Sequence, residues 1–496
     1  MTLGRLAFPA LRWRPETGFA HEDRAIDEAL SLGVGGFIVF GVPGARADEV
    51  GHLTEELRHR ARRQLLIGAD LERGAGQQAR RLTECPPPAA LASLGDEDVI
   101  RWAAATTARE AGRVGINWVF APVADLDLEP ENPIVQTRSF GADPDRVSAS
   151  VATWVEACQA EGLLACAKHY PGHGRTTGDS HQGLPAVGAS LEELRSTDLR
   201  PFAAAVQAGV ASVMTAHVAF PSWDPAGLPA TRSPVILGHL RSALGFDGLV
   251  VTDAFIMEGA RAGASEGEAA TAALAAGCDI LLYPGDLEGT LAALGQAVES
   301  GRLPEQRVGQ ALARYERALG QVAQAANPSR VPALASHAVA ARLLDAGLCR
   351  GSAPDLSGGF ELVVVDDDLG GWYAPGPSDY VVRWLAGRGI FERHGGHRVV
   401  LAFAEPRAAK GRAGFGPDSL DRLGELCGGA ALVVLFAHPR LVAQIPGDCP
   451  VLVAWHRQRL MQEAVASWLA ERVGRDVRCE TGALSSLYEV AGRARV

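Results

Sequence analysis

ACAKHYPGHGRTTGDSHQGLP, residues 165–185, opens as an apolar run and breaks at Pro171-Gly172 into a polar loop. The run 163–170 reads as a buried strand, since it lacks the alternation of a strand with one wet face. Beyond the break come His173, Gly174, Gly178, Asp179 and His181. Glycines for unusual backbone angles beside polar groups for chemistry mark a functional loop. Asp179 and His181 lie two residues apart, close enough for a carboxylate to orient an imidazole and raise its basicity. His169, His173 and His181 also fit a metal site. However, the first two sit across a Pro-Gly break and no cysteine joins them, so no metal is expected.

Working outward, further apolar runs occupy 3–11, 35–41, 65–70, 118–125, 211–218, 249–255 and 279–283. Between them lie stretches apolar at helical spacing, 47–63, 96–113, 144–160, 190–208 and 233–244. Some open on capping residues, Ser190 with Glu193 three positions on, or Ser233 followed by Pro234. Eight apolar runs alternating with helices predict an α/β fold with a parallel sheet, and the number points to an N-terminal (β/α)8 TIM barrel. An open doubly wound sheet is the alternative, but no Gly-rich nucleotide turn follows the first run. In a barrel the carboxyl ends of the strands carry the site. Those ends hold Asp70, Glu72 and Arg73; Asp125 and Asp127, with Asn132 and Arg138 beyond; Lys168 and His169; Thr215 and His217; Thr252 and Asp253.

The chain of 496 residues, 47% hydrophobic, is long enough for two domains. Its net charge of -11 argues against nucleic acid or anionic membrane as a partner. With no leader pattern and no membrane-length apolar run, a cytoplasmic location is expected. Cys85, Cys158, Cys166, Cys278, Cys349, Cys427, Cys449 and Cys479 show no paired spacing and read as free thiols. Basic charge is almost all arginine, the only lysines being Lys168 and Lys410, so a lysine in the key stretch points to a need for a compact ammonium.

A helical stretch at 304–325 closes the barrel domain, set at residues 1–327. A linker with a helical segment at 333–348 covers 328–358, and Gly351 to Gly359 is rich in Gly, Ser and Pro. Apolar runs at 361–365, 398–404, 431–436 and 451–455 predict a smaller C-terminal α/β sandwich domain with a parallel sheet, 359–496. No phosphate-binding glycine motif occurs there, and no cofactor is expected.

Two carboxylates flanking a glycosidic bond are the usual equipment of glycoside hydrolysis. Asp253, in VVTDAFIMEGA, has the setting of a nucleophile on a rigid element, and the Asp179/His181 pair offers a proton donor near neutrality. KHYPGHGRTTGDSHQGLP, VMTAHVAFP, GLVVTDAFIMEGA, FAPVADLDLEPENPIVQTRSFG and AGCDILLYPGD occur in this chain. Together they resemble glycoside hydrolase family 3, and within it the β-N-acetylglucosaminidases of bacterial cell-wall recycling. The loop is similar to that subgroup's KH-[FY]-PGHG-x4-DSH-x2-LP.

The resemblance implies Asp253 as nucleophile, His181 as general acid/base and Asp179 as its orienting partner. It implies Asp70, Arg138, Lys168 and His169 on the hydroxyls and acetamido group of the sugar, with His217 supporting the nucleophile. The expected enzyme is a retaining exo-β-N-acetylglucosaminidase acting on a small carbohydrate, a muropeptide or a chitooligosaccharide. A phosphorylase or β-glucosidase on the same site, and a non-catalytic sugar-binding protein, are the rivals. Two departures stand out: Ala254 replaces a second Asp after the nucleophile, and Asp70-Leu71-Glu72-Arg73-Gly74-Ala75 replaces D-x-E-G-G-R, with Ala75 where the arginine is expected.

Overall fold

The computed structural model describes residues 3–42, 44–323, 334–368, 376–390, 395–407 and 410–473. The end of the 304–325 stretch, the first residues of the 328–358 linker, and Cys479 with the rest of 474–496 lie outside the described residues.

Nine strands build the first sheet system: β1 (Ala7–Phe8), β2 (Ala10–Arg12), β3 (Gly36–Phe40), β4 (Leu66–Ala69), β5 (Trp118–Val119), β6 (Leu164–Tyr170), β7 (Ser212–Thr215), β8 (Leu249–Thr252) and β9 (Leu281–Leu282). β2 to β8 neighbour one another in sequence order, all parallel. The ends of this curled sheet meet through β1 and β9. Ala7 and Phe8 pair with Leu281 and Leu282, and Ile280 bridges to Val251 of β8. Since β1 and β2 form one stave interrupted at Pro9, the ring closes as a TIM-barrel-like domain. Phe8, Trp118 and Phe120 meet edge to face, at 5.6 and 5.0 Å between centroids. The indole N–H of Trp118 donates to Ser212 Oγ at 2.8 Å, so the buried indole is satisfied.

Several runs differ from their sequence reading. Residues 3–6 form a 3-10 turn ahead of β1. The 118–125 run keeps only two ladder residues, because Pro122 has no N–H to give. It follows β6 instead through single bonds from the Cys166 and Lys168 amides to the Ala121 and Pro122 carbonyls. The 190–208 stretch is two helices, Leu191–Ser196 and Leu199–Gln207. It breaks where buried Asp198 turns toward Arg175 of the key loop at 2.8 Å. Pro144–Ala160 starts at Asp143, which accepts from the amides of Asp145 and Arg146.

Helix Ser336–Asp345 leads into β10 (Leu348–Arg350), then β11 (Phe360–Asp366), β12 (His397–Ala404), β13 (Ala430–Ala437) and β14 (Val451–Val453). The sheet order is β10-β14-β13-β12-β11. β11 to β14 are parallel as expected, but β10 runs antiparallel on the edge, which corrects the all-parallel reading. No earlier strand of this sheet precedes β10, so no right-handed crossover sets its direction. Alternate residues face two cores. Leu401, Phe403, Val434 and Phe436 pack with helices Ser336–Asp345, Tyr380–Ala386 and Arg459–Ala470; Val400, Ala402, Val433 and Leu435 pack with Pro417–Cys427. Among the described residues, all seven cysteines are free, six of them buried, and no helix is long and apolar enough to cross a membrane.

The closing seam is held by one buried carboxylate. Asp279 accepts from the Val250 amide at 3.0 Å and pairs with Arg241, Arg307 and Arg314 at 2.6, 2.7 and 3.3 Å. Asp279→Ala leaves three guanidiniums facing one another, an expected loss of about 3–5 kcal/mol. Urea denaturation measures it, and a loss below about 1 kcal/mol would contradict this account of the seam.

Candidate active site

Every strand end singled out in the sequence opens on the same rim. After β4, Asp70 and Glu72 meet Lys168 of β6: the ammonium lies 2.6 Å from Asp70 Oδ1 and 2.7 Å from Glu72 Oε1. Glu72 also takes Arg138 in a two-pronged pair at 2.9 and 2.7 Å. Burial pushes the Glu72 carboxyl up, but Arg138 and Lys168 outweigh it and hold the group well below the ordinary carboxylate range. Lys168 shows the mirror image. Burial disfavours its charge, yet Asp70 and Glu72 keep it protonated and raise its pKa. The Lys168 side chain is 2% exposed, whereas those of Asp70 and Arg138 are 32% and 26% exposed. Asp70 and Arg138 are thus the more exposed members, tied to each other through Lys168 and Glu72. Arg138 spends three of its five N–H donors on Glu72 and the Ile134 carbonyl, leaving two.

Asp253 follows β8, its side chain 23% exposed, with Oδ1 accepting from the Ala254 amide at 2.7 Å. His169 Nε2 stands 3.9 Å from Oδ2. Burial pushes the Asp253 carboxyl up, but His169, His217 and the Ala254 amide prevail, with His181 adding to them, and hold it at about 2. The group is an anion throughout the neutral range. His217 lies beneath, 2.8 Å from Thr231 Oγ1 and 3.3 Å from the Ala254 carbonyl, and burial holds its ring down to about 4.

The loop after β6 carries Asp179 and His181. Asp179 Oδ1 accepts from the His181 amide at 2.9 Å and lies 2.7 Å from Nδ1 of the same ring. The carboxylate thereby orients the ring and selects the tautomer with its proton on Nδ1. Asp125, fully buried, ties the loop to the ring that stands beside Asp253. It accepts from the His169 amide, from His169 Nδ1 at 2.7 Å and from the His173 amide at 2.7 Å. His173 in turn reaches Thr176 Oγ1 at 2.8 Å and Ser180 Oγ at 3.0 Å, which is the residue between Asp179 and His181. Asn132 donates to the His173 and Thr176 carbonyls at 2.8 and 2.9 Å. From the β8 side, Gly259 donates its N–H to the Ser180 carbonyl at 3.0 Å. A Cβ there would meet the carbonyl oxygens of Gly183, His217 and Ser180 at 2.9–3.0 Å, so only glycine admits this approach.

The structure thus brings Asp70, Arg138, Lys168, His169, His217, Asp253, Asp179 and His181 to one rim. Sequence reasoning named Glu72 and Asp125 at strand ends but gave them no role. The D-x-E spacing after a strand, and an acid at the end of an apolar run, were the available signals. Arg73 does not fill the place left by Ala75: its guanidinium turns away to His456 of the C-terminal half. Among the described residues, no group of three or more His, Cys, Asp or Glu is arranged to hold a metal ion.

Buried neutral rings give the protein a pH signature. His173, His217 and His438 are each held at about 4, chiefly by burial, against an ordinary 6.5. Below pH 6.5 the unfolded chain binds protons that these folded rings refuse. The stability they allow is therefore full above about 6.5 and falls as pH drops toward 4, by at most about 3 kcal/mol per ring. Asp253 and Asp125, held low, add their own loss only below about 4. Urea midpoints should fall between pH 7 and 4.5, and a flat profile there would contradict neutral burial.

The family description "Glycosyl hydrolase family 3 N terminal domain" matches residues 15–318. A beta-hexosaminidase of Chromobacterium violaceum is 37% identical over 272 residues, 53% of this chain and 75% of the relative. A "Beta-N-acetylglucosaminidase/beta-glucosidase" of Cellulomonas fimi is 38% identical over 260 residues, 50% of this chain but only 46% of that longer protein. Among solved structures, a glycoside hydrolase family 3 beta-N-acetylglucosaminidase from Paenibacillus sp. superimposes with a TM-score of 0.83 at 27% identity, covering 95% of this chain and 96% of that one. With the matched region spanning the strand ends from β3 to β9, this chain belongs to glycosyl hydrolase family 3.

Proposed function

We propose that this chain is a retaining exo-β-N-acetylhexosaminidase, with residues 1–327 as catalytic barrel, 328–358 as linker and 359–496 as a C-terminal α/β sandwich. The observation that carries the reading is the pairing of an ionised Asp253 with an Asp179-oriented His181 across one rim. Asp253 attacks the anomeric carbon, and His181, protonated at Nε2, gives that proton to the departing oxygen. The glycosyl-enzyme ester that results is opened by water, whose proton His181 takes back, so configuration is retained. Asp70 accepts from sugar hydroxyls, while Lys168 and Arg138 donate from positions fixed by Glu72. His169, 3.9 Å from Asp253, shares the sugar-facing rim with it, and His217 supports the turn after β8 through the Ala254 carbonyl.

Phosphorolysis is a second reading with a specific observation behind it. The Asp179 carboxylate has no exposure and is committed to His181, so an anionic acceptor approaching Asp253 meets an imidazole rather than a carboxylate. Its product would be a sugar phosphate, from the same residues.

The decisive test is release from aryl β-glycosides of N-acetylglucosamine and of glucose, with and without phosphate. Fast release from the N-acetyl sugar, indifferent to phosphate, is the expected result. Preference for the glucoside would assign a β-glucosidase, phosphate dependence a phosphorylase, and silence on both would overturn the enzymatic reading. Asp253→Asn should lose turnover by roughly a thousandfold or more yet keep sugar binding. His181→Ala should slow substrates with poor leaving groups far more than activated aryl glycosides, because only the former need a proton. Equal losses would remove His181 from the acid role.

A further inference from the structure

Arg73 stands where the chain departs from its relatives' motif, and its contacts lie outside the barrel. Its Nη1 is 2.9 and 2.7 Å from the two ring nitrogens of His456 and 3.4 Å from Gln458 Oε1. His456 follows β14 and is buried; its Nδ1 accepts from the Gln458 amide at 3.0 Å, and its Nε2 lies 3.1 Å from Glu405 Oε1, just beyond β12. Glu405 is itself held in place, since Oε1 accepts from the Arg457 amide at 2.7 Å. A neutral ring offers one lone pair, on Nδ1, which the Gln458 amide and Arg73 share, while Nε2–H faces Glu405. Burial, then Arg73 and Arg457, hold the ring well below its ordinary value, so it stays the neutral acceptor that a guanidinium needs.

The same sheet end grips this barrel segment at two further points. Gln458 Nε2 donates to the Cys85 carbonyl at 2.8 Å, and the Leu460 amide donates to Glu84 Oε2 at 2.9 Å. On the barrel side, the Arg73 amide is held by Gln77 Oε1 and its carbonyl by the Cys85 amide. The residue immediately before Arg73 is Glu72, the carboxylate that orients Arg138 and Lys168.

We propose that His456, backed by Glu405, is a positioning residue for the sugar pocket: by holding Arg73 it sets the segment 70–78, and through Glu72 the two cations offered to substrate. The identity of that substrate rests on the functional reading above; the positioning does not. A role confined to joining the two halves would affect overall stability and leave the pocket untouched. Positioning predicts instead a change in sugar affinity with chemistry preserved, because Asp253 and His181 lie on other elements.

The test compares wild type, His456→Ala, His456→Gln and Glu405→Gln. Three readouts apply: N-acetylglucosamine affinity by calorimetry, kcat and KM on an aryl β-N-acetylglucosaminide, and amide hydrogen exchange over 70–78. His456→Ala should weaken sugar binding and raise KM about tenfold, the scale of one hydrogen bond to a charged group, with kcat within about threefold. Exchange over 70–78 should quicken. His456→Gln, which can still accept from Arg73 and donate to Glu405, should recover most of both effects. Should His456→Ala fail to fold, Glu405→Gln keeps the shape and carries the same expectation in smaller measure. Unchanged exchange over 70–78 together with unchanged affinity overturns the inference. Quickened exchange in variants of a wild type that binds only glucose-configured sugars upholds it, and overturns the N-acetylhexosamine reading instead.

Discussion

Asp125 has no exposed surface, and its two oxygens collect N–H groups from His169 and His173. A buried carboxylate is stable only when its lone pairs are met, so these bonds are obligatory for the fold. One residue thereby orients the ring that faces Asp253 and anchors the loop that carries His181. Asp253 and His181 follow different strands of the barrel, yet share a rigid origin.

The second organising feature is the alternating charge sequence Asp70, Lys168, Glu72, Arg138. An isolated ammonium at 2% exposure would shed its proton, and an isolated Glu72 would take one up. Together they stay charged, and the two ends of the series, Asp70 and Arg138, are its more exposed members. The compactness of an ammonium matters here, because it lies within 2.7 Å of two carboxylates at once. That is a physical account of a lysine in a chain that otherwise uses arginine almost throughout.

The two halves of the chain meet over the loops that carry these groups. Arg440 and His438 engage Asp127, Gln136 donates to the Ala413 carbonyl at 3.0 Å, and Arg73 reaches His456. Each barrel partner lies in the segment after β4 or after β5, where Glu72 and Arg138 reside. The C-terminal sheet presents the carboxyl ends of β12 and β14 to the first of these segments, a usual place for function in parallel sheets.

The sequence by itself determined the alternation of apolar runs and helices that makes a parallel α/β barrel, because eight such runs leave few ways to bury them. It also placed the polar residues on one rim, since in a parallel barrel every strand end points the same way. It could not show which of those residues touch. Glu72 and Asp125 read as two acids among many, and their roles come from cations and amides up to 96 residues distant along the chain. The break between Leu191–Ser196 and Leu199–Gln207 was likewise hidden, being decided by Arg175 reaching Asp198 rather than by local propensity. The antiparallel β10 and the turn of Arg73 toward His456 depend on how separate segments pack. Periodicity is a local property and legible in one dimension; which charges neutralise one another is settled only when burial brings them together.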